Sequence, residues 1–185
     1  MTEIGVDVRA KDYIIAVDGR PTNEVNNIYE LLLDTAGKQV VLKVNARPEA
    51  RGARRVVVTP IPDESRLTYH DWVEGNIRKV NEATACKVGY IHVPDMLANG
   101  LNEFVKHYYP QLRKKGLIID VRGNGGGNVS PMLIERLRRQ IAMVGIARNA
   151  EPTVDPGGTF YGPMVCLMNE FSASDGDLFP FSFRH

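Results

Sequence analysis

Gly116–Val121 (GLIIDV) restricts the fold more than any other stretch of the chain. A run this apolar fits a central strand of a parallel sheet covered on both faces. It empties directly into Arg122-Gly123-Asn124-Gly125-Gly126-Gly127-Asn128. Ser130 and Pro131 then open a helix, with proline at the first helical position. Leu133, Ile134, Leu137 and Ile141 supply the buried stripe of that helix, and Arg136, Arg138 and Arg139 are expected to face solvent. A glycine loop between strand and helix lets backbone N–H groups approach an anion or an oxyanion. A dinucleotide fingerprint fails here, because the register from Gly123 puts Asn128 where the third glycine belongs. A phosphate loop fails as well, because no Lys-Ser or Lys-Thr pair follows the glycines. An oxyanion site remains, beside the simpler reading that the glycines serve packing. It requires a nucleophile from elsewhere in the chain.

Pro163–Asp177 (PMVCLMNEFSASDGD) offers one. Pro163–Met168 carries no charge and is long enough for a buried strand. Asn169, Ser172, Ser174 and Asp175 are turn and N-cap types, and Gly176 loosens the backbone behind them. A serine at a strand-to-helix corner sits where helix N–H groups and the positive dipole end can meet an oxyanion. Ser174 or Asp175 acting only as a helix cap is the competing reading. Pro180 falls about two turns into the expected helix, where it is predicted to bend or shorten it.

The remaining composition narrows the function classes. A formal charge of +1 on 185 residues gives no electrostatic case for nucleic acid or an anionic membrane. No run approaches the ~18 apolar residues of a membrane span. No signal segment opens the chain, so a cytoplasmic location is expected. Cys86 and Cys166 lack metal-ligand spacing, and Cys166 reads as a small core residue. His92 sits in an apolar run and reads as a satisfied core histidine, whereas His70 and His107 read as surface groups. No metal site and no cofactor are expected.

The first sixty residues read as a strand, a helix and two strands. Tyr13–Val17 is closed by the turn pair Asp18-Gly19 and by Pro21. Thr22 or Asn23 is expected to cap a helix over about residues 24–36, with Val25, Ile28, Leu31 and Leu32 as its apolar stripe and Gly37 beyond its end. Gln39–Val44 and Arg55–Thr59 are the further strands. Pro60-Ile61-Pro62-Asp63-Glu64 marks a domain boundary, giving expected domains at residues 1–61 and 62–185. A helix at Leu67–Ala83, a strand at Gly89–Val93 and a helix at Leu101–Tyr109 lead to the glycine loop, so the class is α+β.

Ala10–Pro21 and the helix expected after it resemble the later part of a PDZ domain of the kind found in bacterial and archaeal proteases. GYIHVPDM, GLIIDVRGNGGGNVS and NEFSASDGDLFPFSF together resemble the tricorn branch of the family-41 serine peptidases, which also includes the carboxy-terminal processing peptidases. That resemblance covers about residues 66–185. It implies a partial PDZ-like β unit followed by a ClpP/crotonase-like α/β peptidase core that stops soon after the nucleophile.

Ser174 occupies the position of the family's catalytic serine, with the N–H groups of Asp175 and Gly127 as oxyanion donors. Ser172 has no implied role. The implied activity is serine endopeptidase cleavage of peptides through an acyl-enzyme, by a protein that forms homo-oligomers at full length. In the tricorn branch the base is a histidine that precedes the PDZ segment, and none of His70, His92, His107 or His185 matches it. No lysine follows Ser174 in the manner of the processing peptidases. The family's acid for basic P1 side chains aligns near Gly145, which argues against a trypsin-like preference. This chain is therefore expected to be almost inactive by itself. The alternative is a non-catalytic PDZ-like module for peptide binding or assembly. An α/β-hydrolase is disfavoured because Ser172, not glycine, stands two residues before Ser174.

Overall fold

The computed structural model describes residues 5–185, which form two compact units that divide between Thr68 and Tyr69. In the first unit, β1 (Tyr13–Val17), β2 (Arg20–Pro21), β3 (Val40–Asn45) and β4 (Arg54–Val58) make an antiparallel sheet in the order β2-β1-β3-β4. Asp18 and Gly19 both take positive φ, 46° and 85°, which suits the tight hairpin that pairs Val17 with Arg20. β3 alternates as a half-buried strand should, with Val40, Leu42 and Val44 buried and Lys43 exposed. These residues join Val17, Leu31 and Val56 in the unit's core. The first four residues of the expected 1–61 domain lie outside the described residues.

The helix expected over residues 24–36 does not form. Two short 3-10 turns, Thr22–Glu24 and Ile28–Leu31, replace it. Local side-chain bonds explain the change. The Thr22 hydroxyl donates to the Ile14 carbonyl (2.7 Å) instead of capping, and Asn27 Oδ1 accepts the Tyr29 N–H (3.0 Å), starting a new turn. Asp34 then takes φ 57°. The apolar stripe still packs inward: Leu31 is buried, and Val25, Ile28 and Leu32 lie against the core.

In the second unit, α1 (Ser65–Thr84, entering from the first) precedes β5 (Val88–His92), α2 (Ala98–Tyr108), β6 (Gly116–Asp120) and α3 (Ser130–Leu137). β7 (Met143–Gly145), β8 (Thr153–Asp155), β9 (Met164–Leu167) and α4 (Asp175–Arg184) complete it. β5, β6 and β9 form a parallel sheet in that order, with Val88 opposite Gly116 and Ile118 opposite Val165. β6 is central, and Leu117, Ile119 and Val121 reach a core shared with Ile91, Phe104, Leu133 and Phe179.

Several expectations change here. β9 is an edge strand among the described residues, so the run expected as a buried strand leaves Val165 54% exposed. Its other face carries Met164 and Cys166 against the core. α3 closes at Leu137, where the Arg138 N–H bonds back to both Ile134 and Arg136, so Ile141 falls outside the helix. Arg136 stands over the Tyr109 ring, 5.8 Å from its centroid, rather than in solvent. β7 and β8 form an exposed hairpin that carries Gly145. α4 runs on past the buried Pro180 to Arg184, so the proline does not shorten it. Among the described residues no helix is long and apolar enough to cross a membrane.

Candidate active site

Parallel register brings the carboxyl ends of β5, β6 and β9 to one edge of the sheet. Val93 N–H donates to Asp120 O (2.9 Å), and Val121 N–H donates to Leu167 O (2.8 Å). The glycine loop, the segment after β5 and the serine corner all leave from that edge, the usual place for sites in open α/β sheets. Met96 and Gly127 form a parallel bridge: Met96 N–H donates to Gly126 O (2.9 Å), and Met96 O accepts Asn128 N–H (2.7 Å). In such a bridge the flanking residues take the ladder bonds, so Gly127 turns its own N–H away from Met96. That N–H has no acceptor among the described residues.

Two glycines are required by close approach. A Cβ on Gly127 would lie 1.9 Å from the Met96 carbonyl oxygen, and one on Gly126 would lie 2.7 Å from Ser174 Cβ and 3.1 Å from Asp175 N. The packing reading of the loop therefore holds: these two glycines let the loop touch the segment after β5 and the serine corner.

Ser174 occupies the residue before α4 with φ 53° and ψ −127°, and its side chain makes no capping hydrogen bond. It is exposed. Such backbone geometry costs a non-glycine residue about 1–3 kcal/mol and persists only where the surroundings impose it. Asp175 does not cap its own helix either. Its buried carboxylate accepts the Ser130 N–H (3.0 Å) and the Ser130 hydroxyl, bracing the start of α3 against the start of α4. The Asp175 N–H, at the first position of α4, has no acceptor among the described residues. Ser172 donates to Val121 O (3.1 Å), and Asn169 Oδ1 accepts Gly123 N–H (2.9 Å), tying the corner to β6.

Asn124 escaped the sequence reading. It is fully buried: its Nδ2 donates to Val93 O (2.9 Å), its Oδ1 accepts Gly126 N–H (2.9 Å), and its carbonyl accepts Ala173 N–H (3.0 Å). The position of an asparagine inside a glycine loop was its only sequence signal.

A serine hydroxyl needs a base before it can act as a nucleophile. No histidine among the described residues bonds to Ser174. His92 has both ring nitrogens engaged, with Tyr69 OH (3.0 Å) and the Arg122 carbonyl (3.1 Å), and its ring meets Trp72 edge-on at 4.8 Å. Burial lowers its pKa. His70 and His107 are half-buried rather than on the open surface, and His107 lies 3.3 Å from Glu103. His185 bonds to Phe181 O (2.8 Å). The network extends to Asp120, which accepts the Tyr90 hydroxyl (2.7 Å) and the Arg122 guanidinium. Burial pushes Asp120 up, but the bonds from Arg122 and Tyr90 outweigh it and leave the carboxyl below its ordinary range. Cys166 packs against the core, and burial pushes its thiol up to about 12, as suits an unreactive residue. Among the described residues no cluster of ligating side chains could hold a metal ion.

Comparison with known proteins places the chain in a family. The model of peptidase family S41 matches residues 87–185, and that of the tricorn protease PDZ domain matches residues 1–63. The chain belongs to peptidase family S41. It is 41% identical to tricorn protease homolog 1 of Streptomyces coelicolor over 94% of this chain and 16% of that protein. It is 36% identical to the tricorn protease of Thermoplasma volcanium over 97% of this chain and 17% of that protein. A crystal structure of the tricorn protease superposes with a TM-score of 0.83 at 34% identity, covering 94% of this chain and 17% of that one. The family chain thus spans about a sixth of the length of these relatives. Its fold is a PDZ unit followed by a family S41 α/β core, in an α+β arrangement.

Proposed function

We propose that the protein to which this chain belongs is a tricorn-like serine endopeptidase with Ser174 as nucleophile. Residues 1–61 act as the PDZ-like domain and residues 62–185 as the peptidase core. The observation that carries this reading is Ser174 itself: a strained, exposed serine at a helix start, free of any capping bond and packed against the glycine loop. Ser174 Oγ attacks the scissile carbonyl carbon while a base takes its proton. The carbonyl oxygen becomes an oxyanion, held by the Asp175 and Gly127 N–H groups. Collapse expels the amine, which takes up the proton, and water then hydrolyses the acyl-enzyme. The base comes from outside residues 5–185, since the histidines here are engaged elsewhere or make no bond to Ser174. Without it, turnover by this chain falls by about 10⁴–10⁶. Peptides are the substrates, the full-length protein is a cytoplasmic homo-oligomer, and no cofactor takes part.

A fluorescent fluorophosphonate probe tests the reading on this chain and on the full-length protein, each as wild type and Ser174→Ala. Labelling confined to the full-length wild type is the expected result. Labelling of the short chain at Ser174 would show that a local base exists. An unlabelled, inactive full-length protein that still binds peptide would replace the enzyme with a PDZ-like binding or assembly module.

A further inference from the structure

We propose that Asn124 is a positioning residue that sets the separation between the two oxyanion donors. The inference rests on the assignment of Ser174, Asp175 and Gly127 above. It starts from three of the four hydrogen bonds that Asn124 makes with no exposure to solvent, the fourth running from its N–H to Val121 O (3.1 Å). Its side-chain amide spans from Val93 O at the end of β5 to the N–H of Gly126, the residue before one donor. Its main-chain carbonyl holds the N–H of Ala173, two residues before the other donor. Gly176, just after that donor, has no room for a Cβ, which would sit 2.3 Å from the Asn124 carbonyl oxygen and 2.6 Å from Oδ1. One residue thus touches both halves of the oxyanion site and fixes both to the sheet.

The chemistry of the amide is specific. The Val93 carbonyl requires a donor and the Gly126 N–H requires an acceptor, and an amide supplies both at once without depending on a titratable proton. A leucine of nearly the same shape supplies neither and leaves the Val93 carbonyl and the Gly126 N–H without their partner. The loop then shifts relative to the corner. A displacement of about 1 Å in a catalytic group costs on the order of 10²-fold in rate. Asn124 makes no contact with substrate in this scheme; it acts through Gly126 and Ala173.

The test is Asn124→Leu in the full-length protein, with rates normalised to the fraction of sites titrated by the fluorophosphonate. The expected result is a fall of about 10²-fold in kcat with KM nearly unchanged, because the oxyanion interaction is made in the transition state. Binding of a peptide aldehyde, which forms a tetrahedral oxyanion adduct, weakens in parallel. A non-covalent peptide inhibitor keeps its affinity. Loss of titratable sites with unaltered kcat per site would mean a purely structural role and overturn the proposal, as would a rise in KM alone. Should the variant fail to fold, amide exchange in the wild type decides. Slow exchange of Gly126 N–H beside a fast neighbour at Gly125 supports the clamp, and equal exchange at both refutes it. A wild type that neither turns over peptide nor labels at Ser174 removes the enzyme reading itself, and the positioning role falls with it.

Discussion

The polar cluster around Asp120 and the corner around Ser174 grow from the same edge of one sheet, yet they are built to opposite rules. In the cluster, Tyr90, His92, Asp120 and Arg122 all find partners, and Asn76 adds a bond to Tyr90 OH (3.1 Å). At the corner, Ser174 holds φ 53°, its hydroxyl caps nothing, and the Gly127 and Asp175 N–H groups lack acceptors among the described residues. Strain at a non-glycine residue beside donors left open to solvent points to work other than holding the fold together. The contrast separates residues that stabilise from residues that the fold has to restrain.

Removing the serine should have the largest effect and leave stability almost alone. Ser174→Ala in the full-length protein is expected to lower kcat by about 10⁴–10⁶, with the melting temperature close to wild type. Activity within tenfold of wild type would end the catalytic half of the comparison. Asp120→Asn should do the reverse: a loss of about 3 kcal/mol in urea denaturation, from breaking a buried pair. That figure sits at the low end because the Arg122 side chain is 39% exposed. A change under about 1 kcal/mol would mean the cluster is not what stabilises this edge.

Ser174→Gly sharpens the contrast further. Glycine accepts the positive φ, relieving roughly 1–3 kcal/mol, while its greater unfolded-state freedom takes back up to about 1 kcal/mol. The variant should be inactive yet about 1 kcal/mol more stable, read from the denaturation midpoint. A lower midpoint would show that the corner is unstrained.

The smallest effect is a pH dependence. Burial holds His92 below its ordinary 6.5 in the folded state. As pH falls through that value, the unfolded chain takes a proton that the folded chain refuses, so stability declines from about pH 6.5 downward until the folded pKa is passed. His107, also lowered by burial, adds a term of the same sign. Asp120 acts in a lower window, its contribution present above its ordinary value of 3.8 and lost below it as the carboxylate protonates. Urea midpoints at about pH 7.5 and about pH 5.5 test the histidine term, which should shrink in His92→Gln. An equal decline in that variant would take His92 out of the account.

The strand of Gly116–Asp120, the glycine loop and the helix start at Ser130 were legible because their signals are local: an apolar run, then glycines, then proline at a helix opening. The corner around Ser174 was legible as a strand-to-helix turn for the same reason. The helix over residues 24–36 was misread because Thr22 finds its partner in β1, where no periodicity points. Asn124 and the Asp175 carboxylate were invisible because their partners, Val93 and Ser130, stand 31 and 45 residues away. Each of those bonds exists only once the sheet has brought distant segments together. The β7–β8 hairpin buries nothing, so no apolar alternation marked it.

The parallel pairing of β6 with β9 also governs when the corner around Ser174 can form. Met96, Asn124 and Ala173 come from stretches far apart in sequence, and the bonds that join them wait on the last of these to be made. A ribosome delivers the segment around Ser174 after the other two, so the strained geometry arises only once all three have been made. Before that moment, or after partial unfolding, nothing holds residue 174 in its positive-φ conformation. The corner's geometry is thus a property of the assembled sheet and not of the local sequence around residue 174.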